Sequence, residues 1–216
     1  MNLESTLVSE SLWLTKVVIN MGNLLIPLLV LLAIAAWVIS LYNFFVASKA
    51  RIKAAVQEIG NQLKRQADLI PNLEESAKGY LSHEKGIYKD LTDARKQITE
   101  AVKSGNLQKM ADAGSKLASV LPGIQVLVES NPELKADGVV TKLMDELRDT
   151  SDKVMYARRL VIDLTADFNV KRVSFPSSII ANIFKFEEQP GLITPTEGEH
   201  VSVSATELKS PKVKLN

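Results

Sequence analysis

The chain has 216 residues, a formal net charge of +1 and no cysteine. That charge excludes the strongly basic field that recruits nucleic acid, and no nucleic-acid partner is expected. The lack of cysteine excludes disulfides, thiolate metal sites and cysteine nucleophiles together.

Residues 1–23 read as a short extracytoplasmic amphipathic segment, with Leu3, Leu7, Leu14, Val17 and Val18 as its apolar positions. The run Leu24 to Leu41 carries no charge, and Ser40 is its one non-apolar residue apart from Pro27. At about 1.5 Å per residue it spans roughly 27 Å, close to the hydrocarbon thickness of a bilayer. A buried core helix would keep a polar face. A signal peptide would have a shorter apolar stretch and a small-residue cleavage site. Here the weak cleavage-like sequence Val46-Ala47-Ser48-Lys49-Ala50 follows bulky Phe44 and Phe45. The expectation is a retained single-pass transmembrane helix over 24–46, with Pro27 in its first turn. Trp13, Trp37 and Tyr42 suit interfacial positions.

Orientation follows from the flanks. Lys16 is accompanied by Glu4 and Glu10 on the N-terminal side, whereas Lys49, Arg51, Lys53, Lys64 and Arg65 follow the run. The positive-inside rule places the larger C-terminal part in the cytoplasm. Lys49, Arg51 and Lys53 adjoin the span and suit contact with anionic lipid headgroups.

From residue 47 to 186 the pattern is helical. Ile52, Val56, Ile59, Leu63 and Ile70 recur at helical spacing, and no Gly or Pro separates the anchor from this segment before Gly60, so the membrane helix is expected to run on as one rod. Ile70-Pro71 predicts a kink or break near Asp68 to Asn72, with Asp68 or Asn72 capping the groups the proline frees. Helix then resumes through Leu73, Ala77, Tyr80 and Leu81. Ile87, Leu91, Ala94, Ile98 and Ala101 form the next stripe, closed by Ser104-Gly105-Asn106. Another runs from Leu107 through Met110, Ala113 and Leu117 to Leu121, where Pro122-Gly123 bends or ends it, and Asn131-Pro132 closes the region. Val140, Leu143, Leu147, Val154, Val161, Leu164 and Phe168 form the last long stripe, in a heptad-like register of the kind found in bundles and coiled coils. Short connections favour antiparallel neighbours. The predicted fold is all-α: an N-terminal transmembrane helix, an antiparallel up-and-down helical bundle, and a tail. After Phe175-Pro176, Ile179 to Phe186 predicts a short helix against the bundle or lipid. Residues 187–216, with Pro190, Gly191, Pro195, Gly198 and Pro211, predict a disordered tail. Within it, Val201-Ser-Val-Ser204 alternates like a strand.

The stretch from Tyr42 to Phe186 resembles the LemA family of bacterial membrane-anchored helical proteins. Gln62-Leu-Lys-Arg-Gln-Ala-Asp68-Leu-Ile-Pro-Asn-Leu73 is similar to that family's basic pair followed by Asp-Leu-Ile-Pro-Asn-Leu. Lys78-Gly79-Tyr80, His83-Glu84, Ala94-Arg95, Asn131-Pro132-Glu-Leu-Lys-Ala136, Ala157-Arg158, Phe175-Pro176 and Ile180-Ala181 follow in the family's order. The chain departs from the family's two Tyr-Asn pairs, carrying Val161-Ile162 and Phe168-Asn169 at those places, and has Val56 where a Trp is usual. The tail after Phe186 has no evident counterpart. The resemblance implies a single-pass protein of the bacterial inner membrane, with a helical bundle and no demonstrated enzymatic activity.

Motifs for chemistry are missing. His83-Glu84 would need a histidine at position 87 to make a zinc-binding pair, and that residue is Ile87. His200 lies in the tail. Neither a Gly-rich phosphate loop nor a Gly-x-Ser-x-Gly elbow is present. No metal, cofactor or catalytic residue is assigned. Charged residues along a helix face are usually just solvated. Lys64, Arg65, Asp68 and Asn72 are the candidate interaction surface, and Arg158 or Arg159 is expected to pair with Glu129, Glu146 or Asp163. The expected function is a non-enzymatic membrane-anchored scaffold or adaptor that binds other proteins. By analogy with the family, its partner is a membrane quality-control protease. The alternatives are a self-assembling, membrane-organising homo-oligomer and a membrane-linked sensor stalk.

Overall fold

The computed structural model describes residues 3–81 and 84–193, with side chains from Leu25 onward. Several sequence features lie outside the described residues: His83, His200, the Val201–Ser204 alternation, and the side chains of Leu3, Leu7, Leu14, Val17 and Val18.

The described residues are helical with no strand. The helices are α1 (Leu3–Ser76), α2 (Lys78–Leu81), α3 (Lys85–Ser104), α4 (Leu107–Ser130), α5 (Pro132–Ala136), α6 (Gly138–Val173) and α7 (Ser177–Ile183). They form two compact units. One comprises the chain up to Arg51 together with Ala166–Gln189, and the other comprises Ile52–Thr165 together with the segment from Pro190.

The larger unit is a helical bundle. Its core takes Ala55, Ile59, Leu63, Ile70 and Leu73 from α1, and Leu91, Ala94 and Ile98 from α3. Met110, Leu117 and Ile124 come from α4, and Val140, Leu147, Val154 and Val161 from α6. Antiparallel packing of α4 and α6 can be read from their bonds. Arg158 donates to Ser115 and Arg148 to Gln125, so one helix retreats as the other advances. Gly105 has φ 64° and lets the chain reverse between α3 and α4. The Asn106 side chain caps α4 by accepting from Lys109 N at 2.9 Å. Asp137 Oδ1 caps α6, accepting from Val139 N at 2.8 Å and Val140 N at 3.3 Å.

At the prolines the expected helix start at Pro27, the break alternative at Pro71 and the end alternative at Pro122 are corrected. Pro27 does not open a helix, because α1 begins at Leu3. Helix α1 is unbroken across Asp68 to Asn72 and ends at Ser76, while α4 passes through Pro122 to Ser130. Interior proline costs about 3 kcal/mol. At Pro71 that cost is offset by burial on both sides, since Ile70 and Leu73 are fully buried. The proposed caps are also absent: Asp68 and Asn72 are exposed and make no side-chain hydrogen bond among the described residues.

Gln66, Thr150, Ser151 and Thr165 are polar residues buried in the larger unit. Gln66 lies on the buried stripe of α1 and donates from Nε2 to Ser151 Oγ of α6 at 2.9 Å. Its Oε1 has no partner among the described residues. Thr150, also buried, donates to the carbonyls of Glu146 and Leu147 within its own helix.

The smaller unit packs the far end of α6 and α7 against residues 41–48 of α1. Phe45 is fully buried, stacked on Phe186 at 4.8 Å and edge-on to Phe168 at 5.4 Å. Helix α7 ends in a reverse turn. Lys185 has φ 53°, its N–H bonds to Asn182 O, and Phe186 N–H reaches back to Ala181 O at 2.9 Å. The start of the predicted tail is pinned. Asn169 Nδ2 donates to Gln189 O at 2.8 Å while its Oδ1 accepts from Gln189 N at 3.0 Å. Glu188 pairs with Arg172 at 3.0 Å. In the bundle unit, Ile193 N donates to Gln108 Oε1 at 3.0 Å. Within the predicted tail, Glu188, Gln189 and Ile193 are thus bonded to side chains of the helices.

Glycine spacing yields a stability test. A Cβ on Gly114 would sit 3.0 Å from Val154 Cγ1 and 3.4 Å from Leu63 Cδ2. Val154, β-branched in a helix, has no second rotamer to move into. Gly114→Ala is expected to lose about 1–3 kcal/mol by overpacking, outweighing roughly 1 kcal/mol of helix propensity. Gly60→Ala meets only Met110 Sδ, at 3.7 Å, and should gain stability. Denaturant unfolding of the detergent-solubilised chain measures both. In the same assay Gln66→Met, which removes the unpartnered acceptor but also the donor to buried Ser151, should cost about 1–3 kcal/mol.

Candidate functional site

The twelve residues 62–73 divide between core and surface. Leu63, Gln66, Ile70 and Leu73 are buried, whereas Lys64, Arg65, Asp68 and Asn72 are exposed. A helical period of 3.6 residues produces this division and puts Lys64, Asp68 and Asn72 four apart on one outward stripe. Lys64, Asp68 and Asn72 make no ion pair or side-chain hydrogen bond among the described residues. Arg65 differs from them, reaching Glu146 of α6 at 3.4 Å. The pair is half exposed, so it contributes little to stability. Arg158 donates to Ser115 Oγ at 2.7 Å rather than to an acid, while Arg159 lies 4.0 Å from Asp163.

Lys49, Arg51 and Lys53 are exposed on α1 and have no carboxylate partner among the described residues. They follow a stretch whose large side chains, from Leu25 to Ile39, are exposed nearly throughout. Its most apolar 18-residue window has a mean hydropathy of 2.5 and is 6% buried. The described residues thus include one helix long and apolar enough to cross a membrane.

The structure also joins two segments that sequence reasoning left separate. Tyr80, in Lys78-Gly79-Tyr80, donates its hydroxyl to Glu133 in Asn131-Pro132-Glu133. These residues line an open concavity of about 350 Å³. The bond to Glu133, then desolvation and the carboxylate's charge, raise the phenol's pKa above its usual 10.0. At neutral pH Tyr80 is a hydrogen-bond donor and not a phenolate. The signal for this contact was present, since both segments carry the family resemblance, but nothing in their spacing pairs them. A second groove, about 470 Å³ between α4 and α6, is lined mainly by Leu121, Pro122, Met144, Arg148 and Met155. Among the described residues no three His, Cys, Asp or Glu side chains gather as a metal site.

An apolar N-terminal helix joined to a helical bundle defines a class of membrane-associated helical protein. The LemA family model matches residues 55–204, more than half of the chain, and the chain belongs to the LemA family. The match continues past Phe186, so the early tail does have a counterpart in the family. No curated protein matches the chain.

The Tyr80–Glu133 bond gives a pH prediction. A phenol whose folded pKa is raised contributes stability below its unfolded pKa of 10.0, and that contribution is lost as pH rises through the folded value. The melting temperature of wild type should therefore fall more steeply above pH 10.0 than that of Tyr80→Phe. Glu133→Gln should lower the Tyr80 midpoint in an ultraviolet difference titration.

Proposed function

We propose that the protein is a non-enzymatic scaffold, anchored by residues 24–46 in the bacterial inner membrane, that presents its bundle to protein partners in the cytoplasm. The observation that carries this reading is the burial of Phe45. A cleaved signal sequence leaves the mature fold. Here the residues just beyond the apolar run are built into it, with Phe45 packed on Phe168 and Phe186. A soluble core helix is disfavoured as well, because the apolar run itself is uncovered.

The stripe Lys64, Asp68 and Asn72 supports partner binding: it is exposed and without internal partners, and it belongs to the segment most characteristic of the family. Arg65 borders this stripe and is held by Glu146. By family analogy the partner is a membrane protease. Lys49, Arg51 and Lys53 support contact with anionic headgroups and the inward orientation.

Alkaline extraction of membranes tests the anchor. The full chain should stay in the membrane pellet, and release into the supernatant would remove the reading. Single cysteines at Ser5 and Ser204 test the orientation without interference from native thiols. An impermeant reagent added to spheroplasts should label Ser5→Cys only; labelling of Ser204→Cys would reverse the topology. A photo-crosslinker at position 68 should trap a heterologous protein, and Lys64→Glu should abolish the adduct without lowering the melting temperature.

A further inference from the structure

We propose that the end of α6 together with α7 forms a second membrane contact, lying in the bilayer interface beside the transmembrane helix. The inference rests on the reading of residues 24–46 as a span. The smaller unit carries an apolar surface that nothing else in it covers: Val170, Val173, Phe175, Ile179 and Ile183 are all exposed, Phe175 by 83% and Ile183 by 64%. Large apolar surface left exposed on one unit marks a protein or membrane contact.

The height of this surface is fixed within the same unit. Phe184 meets the ring of Tyr42 edge-on at 5.0 Å, and Phe186 stacks on Phe45. Tyr42 directly follows Leu41, the last residue of the apolar run. At 1.5 Å per residue, positions 42–45 lie only about 2–6 Å beyond it. The span therefore brings α7 to the level where hydrocarbon gives way to headgroups.

The composition suits that level. Aromatic and branched side chains face outward, and basic side chains stand among them. Lys171 extends over the Phe44 ring with Nζ at 5.9 Å from its centroid, and Lys185 follows Phe184, the residue that ends α7. Apolar bodies with cationic rims are the pattern of interfacial elements, which bury their apolar face roughly 5–10 Å into the headgroup–acyl boundary. The reverse turn at Lys185 returns the chain to Phe45, so α7 is held by buried Ile180 and Ala181 while Ile179 and Ile183 stay outward. The same lipid that accepts the span is the occupant to which this face is already joined.

The test uses the full cysteine-free chain reconstituted in phosphatidylethanolamine–phosphatidylglycerol vesicles. A polarity-sensitive fluorophore is attached at Phe175→Cys, Ile183→Cys or Leu32→Cys, the last reporting on the span. Nitroxide-labelled lipids and aqueous iodide serve as the two quenchers. The expected result is strong lipid quenching, a blue-shifted emission and little iodide quenching at positions 175 and 183. Lipid quenching at position 32 alone, with iodide quenching at 175 and 183, would overturn the second contact and leave the span intact. Protection of 175 and 183 from both quenchers would overturn it in favour of a protein partner. Absence of lipid quenching at all three positions would overturn both readings.

Discussion

Helix α6 is governed by a repeat of seven. Val140, Leu147, Val154, Val161 and Phe168 recur at that interval, and every one is buried. A straight helix drifts by about 20° per heptad against such a repeat, yet all five positions stay inward. The stripe of α1 must face them, which determines where α3 and α4 are able to close the bundle. The neighbouring seam of α6 is quite different in character: Met144 is followed by Ser151, Arg158 and Thr165. Each of these polar residues meets its need locally. Ser151 accepts from Gln66, Arg158 bonds Ser115, and Thr165 donates to the carbonyl of Val161. A polar pair inside an apolar interface works poorly in any other alignment, so Gln66 and Ser151 favour one register of α1 against α6.

This division explains how much of the molecule was legible in its sequence. Apolar residues at helical spacing announce themselves, and the stripes through Ile59, Ile98, Leu117 and Val154 all enter the core. Gln66, Thr150 and Ser151 were invisible to the same reasoning, because a buried polar residue looks solvated until its partner is known. The prolines misled in the opposite direction. Their local cost is real, yet at Pro71 the packing of Ile70 and Leu73 outweighs one lost hydrogen bond. The segment after Phe186 lacks a stripe and contains Pro190 and Gly191, hence the expectation of disorder. Its described part, up to Ile193, bonds to side chains of Asn169, Arg172 and Gln108, which no periodicity reveals.

The candidate site shows the same limits. The segment from Gln62 to Leu73 was recognisable as a unit, but its two purposes could be separated only by seeing which residues turn inward. Lys64, Asp68 and Asn72 remain as an exposed stripe, whereas Arg65 spends part of its binding capacity on Glu146. Tyr80 and Glu133 meet although more than fifty residues lie between them, and the meeting turns two unrelated-looking stretches into one concave surface. In the smaller unit Tyr42, suited to a membrane boundary, stays exposed while its ring packs on Phe184 and Phe186. Phe45 is enclosed entirely, and the outward apolar surface is supplied by α6 and α7.

Asn169 binds Gln189 through both halves of its amide, one accepting and one donating, and so stands in for a neighbouring strand one residue long. Because it reads main-chain atoms, it is indifferent to the side chain at position 189. The evolutionary constraint therefore falls unequally on the two ends of this contact. Position 189 is open to most residues with a backbone N–H, but position 169 admits only a side chain that offers a donor and an acceptor at the same reach. Deamidation of Asn169 would replace its donor with an oxygen facing the Gln189 carbonyl, converting a latch into a repulsion without altering the shape of the chain.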